Sequence, residues 1–281
     1  MGLIDCKLIR AEILNEVKSQ LADLKGTPRL CIVTIGNDDA SKVYVRNKIK
    51  TAKELGIDVE HLQLDEDICQ EEAEQVIKAI CNRSTNHAVM LQLPIPSHLN
   101  KDRLLNVIPQ HKDVDGLTDL NMGMLVNNRE DTIVPATAQG VYEILRRTYK
   151  SDDLSWLNVV VVNRSQLIGK PLQALLTNHN ATVRLCHSKS EYTFEGADIV
   201  VTGIGHANNY GFWDFWDGQT VIDCSMNRDE DGHLCGDVDY RECLDNIANI
   251  DITPVPSGVG ILTTACLMCN VVKCYLLQGG K

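Results

Sequence analysis

Apolar residues recur along this chain at two spacings that take turns. Ile9, Ile13, Val17, Leu21 and Leu24 fall three or four apart, the period of a helix with one buried face, and Gly26 closes it. Leu30–Ile35 is a short apolar strand. Ser41–Leu55 then reads as a helix, with Asp38 and Asp39 favouring its N-terminus and Gly56 stopping it. Val59–Leu64 reads as a strand, and Glu71–Cys81 as a helix with Ala73, Val76, Ile77 and Ile80 on one side. Ala88–Leu93 is a strand again. A helix over Thr137–Tyr149 leads out of this unit, through a surface loop at Lys150–Asp153, into a second alternating unit. There the strands are Asn158–Val162, Ala181–Leu185, Asp198–Thr202 and Thr220–Asp223, and Thr263–Leu277 is a long apolar helix able to pack back on the first unit. Such alternation predicts parallel sheets with helices on both faces, and ligands bind such sheets at the carboxyl ends of strands. Gln92-Leu93-Pro94-Ile95-Pro96 and Asp113-Val114-Asp115-Gly116 are therefore placed near an active crevice.

Composition narrows the function classes. At 281 residues the chain has room for two domains, and 44% hydrophobic with 23% charged residues is ordinary for a soluble protein. A net charge of −11 argues against a nucleic-acid or anionic-membrane partner. The sequence shows no uninterrupted apolar run approaching a membrane span, and Asp5 falls where a signal peptide would be apolar. A cytoplasmic protein is expected. The cysteines number eleven and are scattered, and Cys266-Leu267-Met268-Cys269 has no second ligand pair, so buried thiols are expected and no metal.

Two stretches carry candidate chemistry. At about 100° per residue, Ser41, Tyr44 and Lys48 share roughly 60° of helix arc. A hydroxyl, an aromatic plate and an amine then project from one face, while Val45, Ile49 and Ala52 anchor another. This suits a flat, polar, aromatic substrate lying on Tyr44 with Lys48 at its reactive atom. Taken alone, the triplet also fits a solvated lysine beside a half-buried tyrosine. In the second unit, Val159–Val162 ends in Asn163-Arg164-Ser165-Gln166-Leu167-Ile168-Gly169-Lys170-Pro171, with Pro171 in the first turn of a helix. Dinucleotide folds hold phosphate or ribose at this strand–turn–helix position. The GxGxxG fingerprint is absent, and a loop on a generic α/β fold would read alike. No acid stands in Cys186-His187-Ser188-Lys189, where an NAD-selective fold binds the ribose, and Arg164 could meet a 2′-phosphate, which favours NADP. Gly203-Ile204-Gly205 and Pro254–Gly260 are either close-approach loops or plain turns.

Taken in order, these segments resemble the bifunctional methylenetetrahydrofolate dehydrogenase/methenyltetrahydrofolate cyclohydrolase family. The matching residues are Gly36–Ser41 running into Tyr44-Val45-Arg46-Asn47-Lys48, Gln92-Leu93-Pro94, and Lys112-Asp113-Val114-Asp115-Gly116. Further on are Arg164-Ser165 with Gly169 and Pro171, Cys186-His187-Ser188, Gly236-Asp237-Val238-Asp239, and Thr253–Pro256 with Gly258-Val259-Gly260. The resemblance implies an N-terminal three-layer α/β folate domain of residues 1–136 and 263–281. It also implies a Rossmann-like NAD(P)-binding domain of residues 137–262, with a deep cleft between them. It gives Lys48 the acid/base role, Tyr44 the stacking platform, Gln92 the tuning of Lys48, and Asp115 the pterin end, with Ser41, Pro256 and Gly258 lining the substrate. Arg164 and Ser188 would receive the 2′-phosphate of NADP, with Ser165, Gly203, Gly258, Val259 and Thr263 bordering the cofactor. A homodimer through the cofactor domain is implied, as is a place in one-carbon metabolism and purine biosynthesis.

The chain departs from the family pattern mainly on the cofactor side. Asn163 replaces a glycine before Arg-Ser; Ser257, Ile261 and Leu262 alter a Pro-Gly-Gly-Val-Gly-Pro-Met-Thr loop; Ala136, Ala138 and Gln139 alter Pro-Cys-Thr-Pro-Lys-Gly; and Asp39 replaces proline. Cyclohydrolase activity is therefore expected, and dehydrogenase activity is expected to be slow or to show unusual cofactor affinity. The alternatives are a cyclohydrolase-dominant monofunctional enzyme and a non-catalytic folate- or nucleotide-binding relative.

Overall fold

The computed structural model describes residues 2–280, with Asp39 and Ala40 described by backbone alone. The side chain of Asp39, expected to favour a helix start, thus lies outside the described residues. In chain order the elements are β1 (Gly2–Leu3), α1 (Cys6–Ala22), β2 (Arg29–Ile35), α2 (Asp39–Glu54), β3 (Asp58–Leu64), α3 (Gln70–Cys81), β4 (Ala88–Leu91), α4 (Lys101–Asn106) and α5 (Asp119–Val126). There follow α6 (Ala136–Thr148), β5 (Asn158–Val162), α7 (Gly169–Asn178), β6 (Thr182–Cys186), β7 (Ile199–Thr202) and β8 (Thr220–Asp223). The chain ends with β9 (Asn227–Arg228), β10 (Leu234–Cys235), α8 (Tyr240–Asn246), β11 (Asp251–Ile252) and α9 (Val259–Leu277). They group into two compact units, residues 13–136 with 264–281 and residues 1–12 with 137–263.

This partition corrects the sequence reading at the N-terminus, where residues 1–12 had been placed with the folate domain. Gly2 and Leu3 pair in parallel with Asp251 and Ile252, adding an edge strand to the second unit's sheet. The Gly2 amide donates to Asp251 Oδ1 at 2.9 Å and the Ile4 amide to Ile252 O at 2.9 Å. Two-residue strands such as β1 and β11 carry no periodicity, which hides both from a sequence-based reading.

The unit of residues 13–136 and 264–281 holds a parallel sheet ordered β3-β2-β4, and a parallel bridge from Val89 to Asp113 extends it past β4. Central β2 is apolar along its length because it is covered on both faces: Leu30, Cys31, Ile32 and Val33 are all buried. Its core gathers Val33, Ile77, Val89, Leu91 and Leu104. Helix α9 starts four residues before the expected Thr263. At 19 residues it is long and apolar enough to cross a membrane by length and composition alone, although Asn270 and Lys273 interrupt its apolar run. Its apolar side chains are spent inside the protein instead: Ala265, Cys266, Leu267, Met268, Val271, Val272 and Cys274 are buried.

The unit of residues 1–12 and 137–263 is built on a six-stranded, all-parallel sheet ordered β1-β11-β8-β7-β5-β6. From β5 the chain goes to β6 on one side and then crosses to β7 on the other, so strand order reverses at β5. The crevice outside the carboxyl ends of β5 and β7 is the ligand position of such sheets.

Candidate active site

Helix α2 displays the first candidate group. The Asp38 side chain accepts the Ser41 amide at 2.7 Å, an N-cap that fixes where the helix starts. From that start Val45 and Ala52 are buried and Ile49 partly so, while Tyr44 stays 48% exposed on the neighbouring face. Lys48 Nζ donates to Gln92 Oε1 at 2.9 Å and lies 4.0 Å from Met90 Sδ. Gln92 follows the carboxyl end of β4, and its Nε2 donates to Leu93 O at 2.6 Å. Ser41 Oγ donates to the same carbonyl at 3.5 Å. Ser41, Lys48 and Gln92 are thus brought together around one peptide. An open pocket adjoins Ser41 and Gln92, lined also by Pro94, Thr34, Gly36 and His61.

Asp115 arrives from a loop held at several points. Lys112 is buried with its Nζ donating to Cys81 O and Arg83 O at 2.8 and 3.1 Å, so an ammonium finishes the carbonyl end of α3. The buried Asp113 accepts the Thr118 amide at 2.9 Å and Asn121 Nδ2 at 2.8 Å. Asn270 of α9 donates to Val114 O at 2.9 Å. Gly116 turns the chain at φ +68°, where a Cβ would stand 2.5 Å from Ile133 O, so no other residue fits.

These supports fix the electrostatics. Burial lowers the pKa of Lys48, and the charge of Asp115 opposes that shift. Burial pushes Asp115 up to about 6, with Lys48 opposing and Asp113 adding to the rise. An amine made easier to deprotonate and a carboxyl made harder to ionise can pass protons near neutral pH.

In the other unit, the remaining predicted residues lie after three strands and at the start of α9. Arg164 and Ser165 are exposed after β5, Gly203 follows β7, and Ser188 is exposed after β6. Gly169 opens α7, and a Cβ there would meet Asn163 O at 1.8 Å, so the turn into the helix is as tight as a phosphate-binding turn needs. No acidic side chain stands at Cys186–Lys189, and Arg164 is free of any acid contact among the described residues. Pro256, Gly258, Val259 and Thr263 lie at the start of α9. A Cβ on Gly258 would meet Pro254 O at 2.2 Å, and Ser257 holds φ +78°. Thr263 Oγ1 donates to Val259 O at 3.3 Å and lies 3.4 Å from Thr137 Oγ1. These residues fit a dinucleotide.

Sequence reasoning gave Asp237 no role of its own, and it singled out Asn163 as a departure at the cofactor turn without its contacts. Asp237, quoted above only as part of a motif, is wholly buried and binds the turn after β7 through the amides of Ile204, Gly205 and His206. Asn163 bridges the carboxyl ends of β5 and β7 by donating Nδ2 to Gly203 O at 2.5 Å. An acid behind a glycine and an amide opening a turn were the only signals available.

Comparison with known proteins identifies the family. The family described as tetrahydrofolate dehydrogenase/cyclohydrolase, catalytic domain, matches residues 4–115, and its NAD(P)-binding domain matches residues 135–278. The bifunctional protein FolD of Bacillus subtilis is 38% identical over 277 residues, covering 96% of each chain. The solved structure of the bifunctional FolD enzyme from Campylobacter jejuni superposes with a TM-score of 0.92 at 34% identity over 99% of each chain. That of the Trypanosoma brucei enzyme, complexed with NADP cofactor and inhibitor, gives 0.86 at 29% identity, covering 100% of this chain and 99% of that one. With both family domains matched in order and the amine, amide and carboxyl assembled at strand ends, the chain belongs to the tetrahydrofolate dehydrogenase/cyclohydrolase family.

Proposed function

We propose that this protein oxidises 5,10-methylenetetrahydrofolate to the methenyl form with NADP and hydrolyses that product to 10-formyltetrahydrofolate. The observation that carries the reading is the 2.9 Å bond from Lys48 Nζ to Gln92 Oε1, on an amine whose pKa burial lowers. The nicotinamide supplies the acceptor for the hydride that leaves the methylene carbon. Tyr44 offers an exposed ring on which the folate plate stacks, and Asp115 accepts hydrogen bonds from the pterin end. Holding the reacting carbon in place removes several kcal/mol of barrier, about 7–11 kcal/mol at the limit of ideal orientation.

Hydrolysis follows at the methenyl carbon. Neutral Lys48 takes a proton from the attacking water, and the resulting ammonium returns it to the folate nitrogen as the ring carbon–nitrogen bond breaks, while the new hydroxyl on the carbon loses its proton to solvent and becomes the formyl carbonyl. Gln92 accepts from the ammonium in the second half of that cycle and fixes the direction of the amine. Such proton transfer is worth about 100- to 10,000-fold in rate. Arg164 and Ser188 are assigned to the 2′-phosphate, and Ser165, Gly203, Gly258, Val259 and Thr263 to the cofactor's border. The family likeness supports a cytoplasmic homodimer formed through the cofactor unit, feeding one-carbon groups to purine synthesis.

One assay tests the reading: methylenetetrahydrofolate with NADP, then with NAD, following the formation and decay of methenyltetrahydrofolate. The expected result is NADP-dependent formation and enzyme-dependent decay. Decay at the spontaneous rate overturns the catalytic assignment. No formation, with enzyme-dependent decay of methenyltetrahydrofolate supplied directly, favours the cyclohydrolase-dominant reading, for which the amide of Asn163 at the cofactor turn is the specific reason.

A further inference from the structure

Two strand ends that open a ligand crevice in a sheet of this topology are tied together here by one side chain. Asn163 follows β5 at the point where strand order reverses. Its Oδ1 accepts the amide of Ser165 at 2.7 Å and the amide of Gly169, the first residue of α7, at 3.2 Å. Its Nδ2 donates to Gly203 O at 2.5 Å, across to the turn after β7. A Cβ placed on Gly203 would lie 3.3 Å from that nitrogen, so the amide fills the space between the turns. Amides at such a turn and helix start are the donors that receive a dinucleotide's oxygens. In this chain a side-chain oxygen already occupies two of them.

We infer that Asn163 is an affinity-setting residue: an internal stand-in for a cofactor oxygen that must be displaced before NADP seats at the turn. The inference rests on the proposed cofactor reading. Seating the dinucleotide exchanges two hydrogen bonds already made for two new ones, so the turn contributes little net affinity. The exposed Arg164 guanidinium is not engaged in that exchange. Affinity therefore leans on the groups outside the turn, for NADP and NAD alike. The effect is on binding, before the chemical step, so it belongs in KM rather than kcat.

Direct titration of the full chain with NADP by calorimetry tests this, with thermal unfolding checking each variant's fold. Asn163→Ala removes the oxygen and frees both amides. NADP is expected to bind about tenfold more tightly, the worth of one neutral hydrogen bond, with KM falling in parallel and kcat unchanged. The gain for NAD is expected to be equally large, leaving the NADP-to-NAD ratio unchanged. Asn163→Asp keeps the acceptor but sets a negative charge against Gly203 O and the incoming phosphate, and about tenfold weaker binding is expected. A merely structural role would weaken both variants together. Binding by Asn163→Ala that is equal to or weaker than wild type, in a folded protein, overturns the inference. Arg164→Ala separates this failure from failure of the cofactor reading. If the wild type binds NADP and Arg164→Ala loses that binding, the site stands whatever Asn163 does. If neither wild type nor any variant binds, the site and the inference fall together.

Discussion

Replacing Asp237 by asparagine changes one atom and tests how the cofactor-side turn is held. The carboxylate takes five hydrogen bonds: Oδ2 from Thr202 Oγ1 at 2.8 Å and the Ile204 amide at 2.7 Å, and Oδ1 from the Gly205 and His206 amides and Asn227 Nδ2 at 3.0, 2.9 and 3.0 Å. All five partners can donate, whereas an asparagine nitrogen cannot accept. In its best orientation the new oxygen keeps the three bonds at Oδ1, and the new nitrogen faces Thr202 and Ile204. The threonine hydroxyl can turn to accept, but the Ile204 amide is left buried and unpaired, which costs about 1–3 kcal/mol. The surviving bonds lose their charge assistance, roughly half their strength, and escape from burying a charge returns part of the loss. A net destabilisation of about 2–4 kcal/mol is expected. Urea unfolding of the full chain measures the total, and hydrogen exchange at residues 204–206 locates it. A second readout follows from Asp223, whose pKa burial pushes up to about 7 with Asp237 adding to the rise. A group raised above its unfolded value favours the fold at low pH and loses that contribution as pH rises through about 7. Without the neighbouring charge this loss moves to lower pH. A stability within 0.5 kcal/mol of wild type, with unchanged exchange at the three amides, would refute the account of the turn.

Three further outcomes are expected. Lys48→Met lowers cyclohydrolase turnover by at least ~100-fold while far-UV circular dichroism is unchanged, and near-wild-type hydrolysis would place the proton shuttle elsewhere. In wild type, kcat/KM falls as the pH drops below about 6, where Asp115 takes up a proton; Asp115→Asn, assayed on its residual turnover, removes that limb. The same change takes away the charge that holds the Lys48 pKa up, so the lysine limb moves to lower pH, and a limb that stays in place would uncouple the two groups. Ser257→Gly relieves a non-glycine residue at φ +78°, a strain of about 1–2 kcal/mol against about 0.5–1 kcal/mol of glycine's extra chain entropy. The net is about 0–1.5 kcal/mol, a rise in Tm of up to roughly 2–3 °C by scanning calorimetry, and a fall would show that Ser257 makes a compensating contact.

Much of this was legible in the chain, and the reason is periodicity. Helix α2 spans nearly four and a half turns, long enough for Asp38, the Val45–Ala52 stripe and Gly56 to define its phase, and phase is what puts Ser41, Tyr44 and Lys48 together. Strand β4 is apolar at every position because both its faces are covered, so Gln92 could be placed at its end. Short elements escaped because α4, α5 and α8, of 6, 8 and 7 residues, show too few turns to declare a face. The swap of residues 1–12 between units escaped for a different reason. It depends on β1 finding β11 some 249 residues away, a pairing that leaves no local mark.

Asn163 and Asp237 illustrate a harder limit, because a turn's chemistry depends on which backbone donors its own side chains consume. The same strand-end rule operates in both units, yet the crevices are filled differently. At β4 the polar groups are side chains, an amine, an amide and a carboxyl, and residue identity announces them. At β5 and β7 the useful groups are backbone amides, which every residue owns, and their availability is decided by their neighbours. Asp237 takes three amides after β7 and leaves that turn rigid; Asn163 takes two after β5 and leaves that turn satisfied. A sequence shows the presence of such residues but not the direction of their hydrogen bonds. Substrate chemistry in this protein was therefore readable from residue types, whereas cofactor affinity is set by a side chain whose effect becomes visible only once its three partners are known.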